Sequence, residues 1–262
     1  MARIAVAATA PFGADVLERL AARQEIAYVL TRPDRPRGRG RRVAPPPAKE
    51  AAERLGLEVR QPERLDNFDP DVEKVVAVAY GVLIPEPALE RGLWLNVHPS
   101  LLPRWRGAAP VERALMAADR ETGVSIIRLV RELDAGPIAA QRPFPIGPDD
   151  DAGAVYAKAA AIAVELLDEV LDGEPELREQ EGEPTYATKI EAADRELDLT
   201  RPEDALNRIR ALSPHIGARA ELHGRPLTIW RARLAGGQLV PVEVQPDGRR
   251  RMSYDEFLRG LR

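Results

Sequence analysis

The chain has 262 residues, 44% hydrophobic but only 5% aromatic, so it can bury a sizeable core made mostly of Ala, Val, Leu and Ile. It has no cysteine, which excludes disulfides, thiol catalysis and cysteine metal sites, and its three histidines (98, 215, 223) are too scattered for a zinc site. The net charge of −4 taken alone argues against nucleic acid, and neither a membrane-length apolar run nor a signal peptide is visible, so a cytoplasmic protein without a membrane partner is expected.

Residues 3–8 form an apolar strand, and residues 12–22 have helical spacing through Val16, Leu17 and Leu20. A second strand is predicted at 25–31. An arginine-rich loop and the prolines 45–47 follow, then a helix at 48–55 and short strands at 58–60, 72–79 and 94–97. This β-α-β-α-β order predicts an α/β fold, a Rossmann-like doubly wound and mostly parallel sheet. The first turn, Ala7 to Gly13, has no GxGxxG, so no nicotinamide cofactor is expected. Further strands fall at 123–129 and 138–144, and a long Ala-rich helix at 152–171 closes a first domain, 1–172. Residues 173–189, rich in Glu, Gly and Pro at their start, read as a linker. The remainder, 190–262, reads as a small second domain. It has a helix at 202–213 and short strands at 218–222, 227–233 and 239–244, the pattern of a small β-barrel.

The stretch from Trp94 to Met116, WLNVHPSLLPRWRGAAPVERALM, organises the rest. Asn96 and His98 stand at i and i+2 on a strand, so their side chains share a face. Pro99 and Pro103 end the strand, and Pro110 sits where a helix can begin. An amide and an imidazole side by side can donate two hydrogen bonds to one oxygen, which suits an oxyanion growing on a carbonyl. The plainer alternative makes Asn96 a turn cap and His98 a satisfied, semi-buried histidine. A later loop holds Glu132, Asp134 and Gly136. Taken by itself, Asp134 fits a turn-forming Asp-x-Gly, and Glu132 is an equally good acid.

Charge is unevenly spread. Residues 32–42 hold six arginines and one acid, Asp34, and residues 201–262 hold twelve arginines and seven acids. Two basic patches on an acidic body are the footprint of a phosphate-contacting surface, the alternative being solvated arginines that serve solubility.

Asn96-Val97-His98-Pro99-Ser100-Leu101-Leu102-Pro103, followed by Arg106-Gly107 and a helix, resembles the signature of the 10-formyltetrahydrofolate-dependent formyltransferases. Matching segments lie in order on both sides. They include Arg32-Pro33-Asp34-Arg35-Pro36, Gln61-Pro62-Glu63, Ala79-Tyr80-Gly81, Glu121-Thr122-Gly123-Val124, Leu133-Asp134-Ala135-Gly136 and Thr185-Tyr186-Ala187-Thr188-Lys189-Ile190, so the similarity spans essentially the whole chain. The longer run through Arg106, Pro110 and Leu115 is similar to the members that formylate methionyl-tRNA.

That resemblance implies 10-formyltetrahydrofolate as formyl donor, initiator methionyl-tRNA as partner, and no metal. It implies Asn96, His98 and Asp134 as the catalytic set. It implies Ser100, Leu101, Leu102, Pro103, Tyr80, Gly81 and Leu83 around the folate. Arg37, Arg39, Arg41 and Arg42, with Arg249, Arg250 and Arg251, would contact tRNA, Arg39 being the best single candidate. An OB-like C-terminal barrel is implied, and a monomer is expected. Three departures stand out. The family's Leu-Asp-Thr-Gly-Asp is Leu133-Asp134-Ala135-Gly136-Pro137 here, its Gly-Thr-Pro-x-Phe opening loop is Ala8-Thr9-Ala10-Pro11-Phe12, and the C-terminal part is short, so the barrel is expected to be abridged. The rival readings are a sugar-nucleotide N-formyltransferase, a formyl-folate hydrolase and an inactive RNA-binding module.

Overall fold

The computed structural model describes residues 2–37 and 42–261. Two units can be told apart, one of Met1–Arg106, Gly123–Pro143 and Ala157–Thr185, the other of Gly107–Thr122, Phe144–Tyr156 and Tyr186–Arg262.

The chain opens with β1 (Arg3–Ala8), α1 (Pro11–Ala21) and β2 (Glu25–Leu30). Ile4 to Ala8 are wholly buried, as a central parallel strand covered on both faces must be. The arginine-rich stretch is not an open loop throughout, because β3 (Arg35–Arg37) and β4 (Arg42–Ala44) pair antiparallel. Pro36 and the density of charge hide this hairpin from any pattern of alternating apolar residues. Arg39 and Arg41 lie outside the described residues, and Arg37 and Arg42 are described as backbone. Next come α2 (Pro47–Arg54), β5 (Val59–Arg60), β6 (Lys74–Val78), α3 (Glu86–Leu89), β7 (Leu93–His98), β8 (Arg106–Gly107) and α4 (Pro110–Met116). Then follow β9 (Glu121–Arg128), β10 (Ile138–Pro145), α5 (Ala152–Leu171) and β11 (Tyr186–Ala187).

The seven-stranded sheet has the order β10-β9-β7-β6-β1-β2-β5. Pairings from β5 through β7 are parallel, and β9 runs antiparallel to β7. The chain steps outward from β1 to β2 and β5, then returns to place β6 on the other side of β1. That reversal is a topological switch point, where open α/β sheets bind ligands at the carboxyl edge. Gly13 is required there: a Cβ on it would fall 2.5 Å from the Val78 carbonyl oxygen and 2.8 Å from the Ala8 Cβ, so α1 packs onto the strands only without a side chain at this point.

Ala5, Ala7, Tyr28, Leu30, Val75, Ala77 and Trp94 belong to one core cluster of this unit. Each large apolar side chain so buried contributes roughly 1.5–3 kcal/mol. The polar tips are satisfied: Trp94 Nε1 donates to the Ala88 carbonyl at 2.8 Å and Tyr28 OH to that of Pro70 at 2.5 Å.

The other unit holds α6 (Pro202–Leu212) and a four-stranded antiparallel sheet in the order β12 (Ala218–Leu222), β13 (Arg225–Ala235), β14 (Gln238–Pro246) and β15 (Met252–Ser253), then α7 (Tyr254–Arg259). Ile209 and Leu212 of α6, Leu227 and Ile229 of β13, Val244 of β14 and Phe257 of α7 share its core. Helix α7 is absent from the sequence-based expectation although its cap is readable. Ser253 accepts the Glu256 backbone N–H at 3.2 Å, a Ser-x-x-Glu start. Among the described residues, no helix is long and apolar enough to cross a membrane.

Candidate active site

Strand β7 delivers Asn96 and His98. Its register with β9 sets Asn96 opposite Ile127 and His98 opposite Ser125, so the two side chains share one face of the sheet. The loop between β9 and β10 brings Asp134 to them. Asn96 Nδ2 donates to Asp134 Oδ1 at 3.2 Å, and His98 Nδ1 lies 3.6 Å from Oδ2. His98 and Asp134 are both buried, at 4% and 7% exposure. The other imidazole nitrogen, Nε2, sits 2.8 Å from the main-chain carbonyl of Trp105. A carbonyl can only accept, so the proton is on Nε2.

The two acids of this loop are placed differently, and Asp134 is the one that meets Asn96 and His98. The Glu132 side chain is 74% exposed and faces Arg106 Nη1 at 3.6 Å. Asp134 has φ of +49°, a left-handed conformation that Asp tolerates better than most residues. Two residues on, a Cβ at Gly136 would fall 1.8 Å from the Arg128 carbonyl oxygen, so the loop closes against β9 only with glycine there. Pro137 keeps its place in the ladder by accepting the Arg128 N–H at 2.9 Å, for which it needs no donor of its own.

Of the residues expected around the folate, Ser100 is fully buried and its hydroxyl donates to the Arg104 carbonyl at 2.6 Å. Its own carbonyl accepts from Ser125 Oγ at 2.7 Å. Gln141 Nε2 donates to the Leu102 carbonyl at 3.0 Å and to Ser125 Oγ at 2.8 Å. The loop from Ser100 to Pro103 is thus tied to Arg104 and to Ser125 of β9 and Gln141 of β10, with Leu102 buried and Leu101 and Pro103 partly exposed. The second segment leaves the sheet after β6, at the same carboxyl edge as β7. Ala79 and Gly81 both have positive φ, Leu83 is 82% exposed, and Tyr80 is buried, which pushes its phenol up to about 12 against the opposing charge of Arg32. The arginine hairpin follows β2 and leaves the sheet at that edge too. Its base is pinned where Lys49 Nζ meets both Asp34 oxygens at 3.0 and 2.9 Å, and Gln61 Nε2 donates to the Arg32 carbonyl at 2.7 Å and to Asp34 at 2.9 Å. These contacts hold the Asp34 carboxyl below the usual carboxylate range, the Gln61 amide first and Lys49 second.

The three C-terminal arginines are all exposed but not alike. Arg250 meets Glu256 at 2.9 Å, an exposed pair of little energetic weight. Arg251 lies 3.4 Å over the Trp230 ring and donates to the Pro214 carbonyl at 2.7 Å, so it is committed to packing.

The formyl transferase family profile matches residues 2–171. The methionyl-tRNA formyltransferase of Methylococcus capsulatus is 39% identical over 297 aligned residues, covering 98% of this chain and 96% of the relative. That of Thermus thermophilus is 41% identical, covering 98% and 96%. Among solved structures, a methionyl-tRNA formyltransferase from Clostridium thermocellum superposes with a TM-score of 0.69 at 17% identity, over 94% of this chain and 99% of that one, which speaks for the fold. With the formyl transferase profile matched across the sheet that carries Asn96 and His98, and near 40% identity over nearly the whole length of such relatives, the chain belongs to the methionyl-tRNA formyltransferase family.

Proposed function

We propose that the chain transfers the formyl group of 10-formyltetrahydrofolate to the α-amine of methionine on initiator tRNA. The observation that carries the chemistry is the convergence of Asn96, His98 and Asp134 within hydrogen-bond or ion-pair reach on one sheet face. The likeness to methionyl-tRNA formyltransferases supports the acceptor. In the reaction a bond forms between the amine nitrogen and the formyl carbon, the bond from that carbon to the folate nitrogen breaks, and the amine proton ends on the departing folate. Asn96 carries a second Nδ2 proton for the developing oxyanion, and His98, on the same face of β7, stabilises the same oxygen. Asp134, in this reading, accepts the amine proton and relays it. Both His98 nitrogens face protein partners in this structure, so a direct hydrogen bond from the ring to substrate requires exchange of one of them, as substrate binding commonly brings about.

The segments at Tyr80–Leu83 and Ser100–Pro103 supply a folate cleft in this reading. Arg37, Arg39, Arg41 and Arg42 of the arginine-rich stretch, with Arg249 and Arg250 between β14 and β15, supply phosphate contacts. The four-stranded sheet is read as an abridged OB-like module, residues 1–172 as the catalytic domain, and the protein as a cytoplasmic monomer. One assay tests the whole: the protein is incubated with 10-formyltetrahydrofolate and, separately, methionyl-tRNA, an amino-sugar nucleotide or water. Formylmethionyl-tRNA is the expected product, and formylation of the amino sugar instead overturns the acceptor.

A further inference from the structure

Residues 173–185 have the composition of a spacer, yet they are bound along their length to the unit that carries Asn96, His98 and Asp134. Lys74 Nζ donates to the Leu171 carbonyl at 2.6 Å and also to that of Gly173. Arg178 and Ile138 exchange backbone hydrogen bonds at 2.7 and 3.0 Å. Thr185 accepts the Trp105 N–H on its Oγ1 at 2.9 Å and the Arg106 N–H on its carbonyl at 2.8 Å. Gln180 lies between these anchors. Its Nε2 donates to the carbonyls of Asp134 and Gly136, both at 2.8 Å, and its Oε1 accepts from Arg106 Nε at 3.0 Å and Nη2 at 2.7 Å. The orientation of the amide is fixed by chemistry, since carbonyls only accept and a guanidinium only donates.

We propose that Gln180 is a positioning residue for formyl transfer, holding the Asp134 carboxylate in place through the main chain while Arg106 aims its amide. This rests on the reading of Asp134 as the proton acceptor. The Asp134 backbone is in a left-handed conformation, which is strained for an L-residue and persists only where its surroundings over-determine it. Gly136 supplies one constraint by close approach to Arg128, and Gln180 supplies the other by tying the carbonyls of Asp134 and Gly136 to a single donor group. Glutamate cannot substitute. It matches the shape and keeps the Arg106 contact, but it sets a carboxylate oxygen against two carbonyls with nothing to donate.

The test is steady-state kinetics of Gln180→Glu, Gln180→Met and Arg106→Lys on whichever acceptor the wild type formylates, water included, with 5-formyltetrahydrofolate binding and thermal melting measured in parallel. A misplacement on the ångström scale predicts a fall in kcat of about tenfold or more for both Gln180 variants, and a smaller fall for Arg106→Lys, with KM for donor and acceptor within about twofold and folate binding unchanged. Unchanged kcat in folded protein overturns the proposal. So does a loss confined to KM, or one that only tracks the unfolded fraction. If Gln180→Glu fails to fold, the other two variants decide. A wild type that ignores methionyl-tRNA but formylates an amino-sugar nucleotide defeats the acceptor reading and leaves the Gln180 result to be read on that sugar.

Discussion

His98 and Trp105 are joined by a hydrogen bond from the imidazole Nε2 to the main-chain carbonyl at 2.8 Å, and Trp105 itself has φ of +64°. With that proton held on Nε2, a neutral ring turns the Nδ1 lone pair toward the Asp134 carboxylate, whereas a charged ring turns an N–H toward it. Nδ1 and Oδ2, 3.6 Å apart, would otherwise be two facing acceptors, so the contact is attractive when one proton is shared between ring and carboxyl, the arrangement a proton relay uses.

Asp134→Asn keeps the acceptor oxygen for Asn96 and tolerates the left-handed backbone, so it isolates the carboxylate. Its turnover, and that of His98→Ala, are expected to fall by at least about 10²-fold with the fold retained. Steady-state formyl transfer with a parallel thermal melt checks this. Near-normal turnover of Asp134→Asn would remove it from the mechanism, and Glu132, turned toward Arg106, offers no ready replacement.

Gly136→Ala brings a Cβ to within 1.8 Å of the Arg128 carbonyl oxygen, so the backbone must move. Overpacking of this kind costs about 1–3 kcal/mol, which predicts a Tm lower by about 2–10 °C. Because Asp134 rides on the same loop, kcat is expected to fall as well. A variant that melts and turns over like the wild type would show that the loop closes in some other way.

Glu112 gives a stability effect with a definite pH window. Burial pushes its carboxyl above the ordinary value of 4.5, against the helix backbone and the Tyr156 hydroxyl, which lies 3.0 Å from Oε2. A carboxyl raised in the folded state binds its proton more tightly there than when unfolded. Stability is therefore lost as pH rises from the unfolded value through the folded one, and the penalty is complete above the folded value. Glu112→Gln removes the charge and can still accept the Tyr156 proton. It should melt above the wild type at pH 7–8, with the difference closing as pH falls toward 4.5. A gap that widens on acidification would reverse the assignment.

The C-terminal arginines should separate by role. Arg249→Gln with Arg250→Gln is expected to raise KM for methionyl-tRNA and to flatten its salt dependence, each lost phosphate contact lowering the slope by roughly 0.9. Arg251→Ala, which removes the stack on Trp230 and the bond to Pro214, should chiefly lower the melting temperature. Kinetics over a salt series, beside thermal melts, distinguishes the two. Equal effects of all three on KM would deny Arg251 its packing role.

Much of the fold is legible because period and burial coincide. The bounds 152–171 and 218–222, taken from residue pattern, match α5 and β12 as observed, and the shared face of Asn96 and His98 follows from a period of two. The hairpin of β3 and β4 is hidden because charged edge residues carry no alternation. The identity of the acid is also hidden. Asp134 and Glu132 differ in placement through a left-handed backbone and a glycine pressed on Arg128, which are tertiary facts. Gln180 has no local signal at all, since a glutamine in a Glu-, Gly- and Pro-rich stretch has the composition of solvent-exposed chain.

The attachment of residues 173–185 has a further consequence for how the chain can vary in length. A true spacer tolerates insertions, since each doubling of a flexible loop costs only about 0.6 kcal/mol. This stretch is instead held in register at Gly173, Arg178, Gln180 and Thr185. One extra residue between Gly173 and Gln180 displaces a donor from two carbonyls beside Asp134. Length changes there should be as damaging as changes of residue, and a stretch whose composition invites proteases should resist cleavage until the sheet beneath it opens.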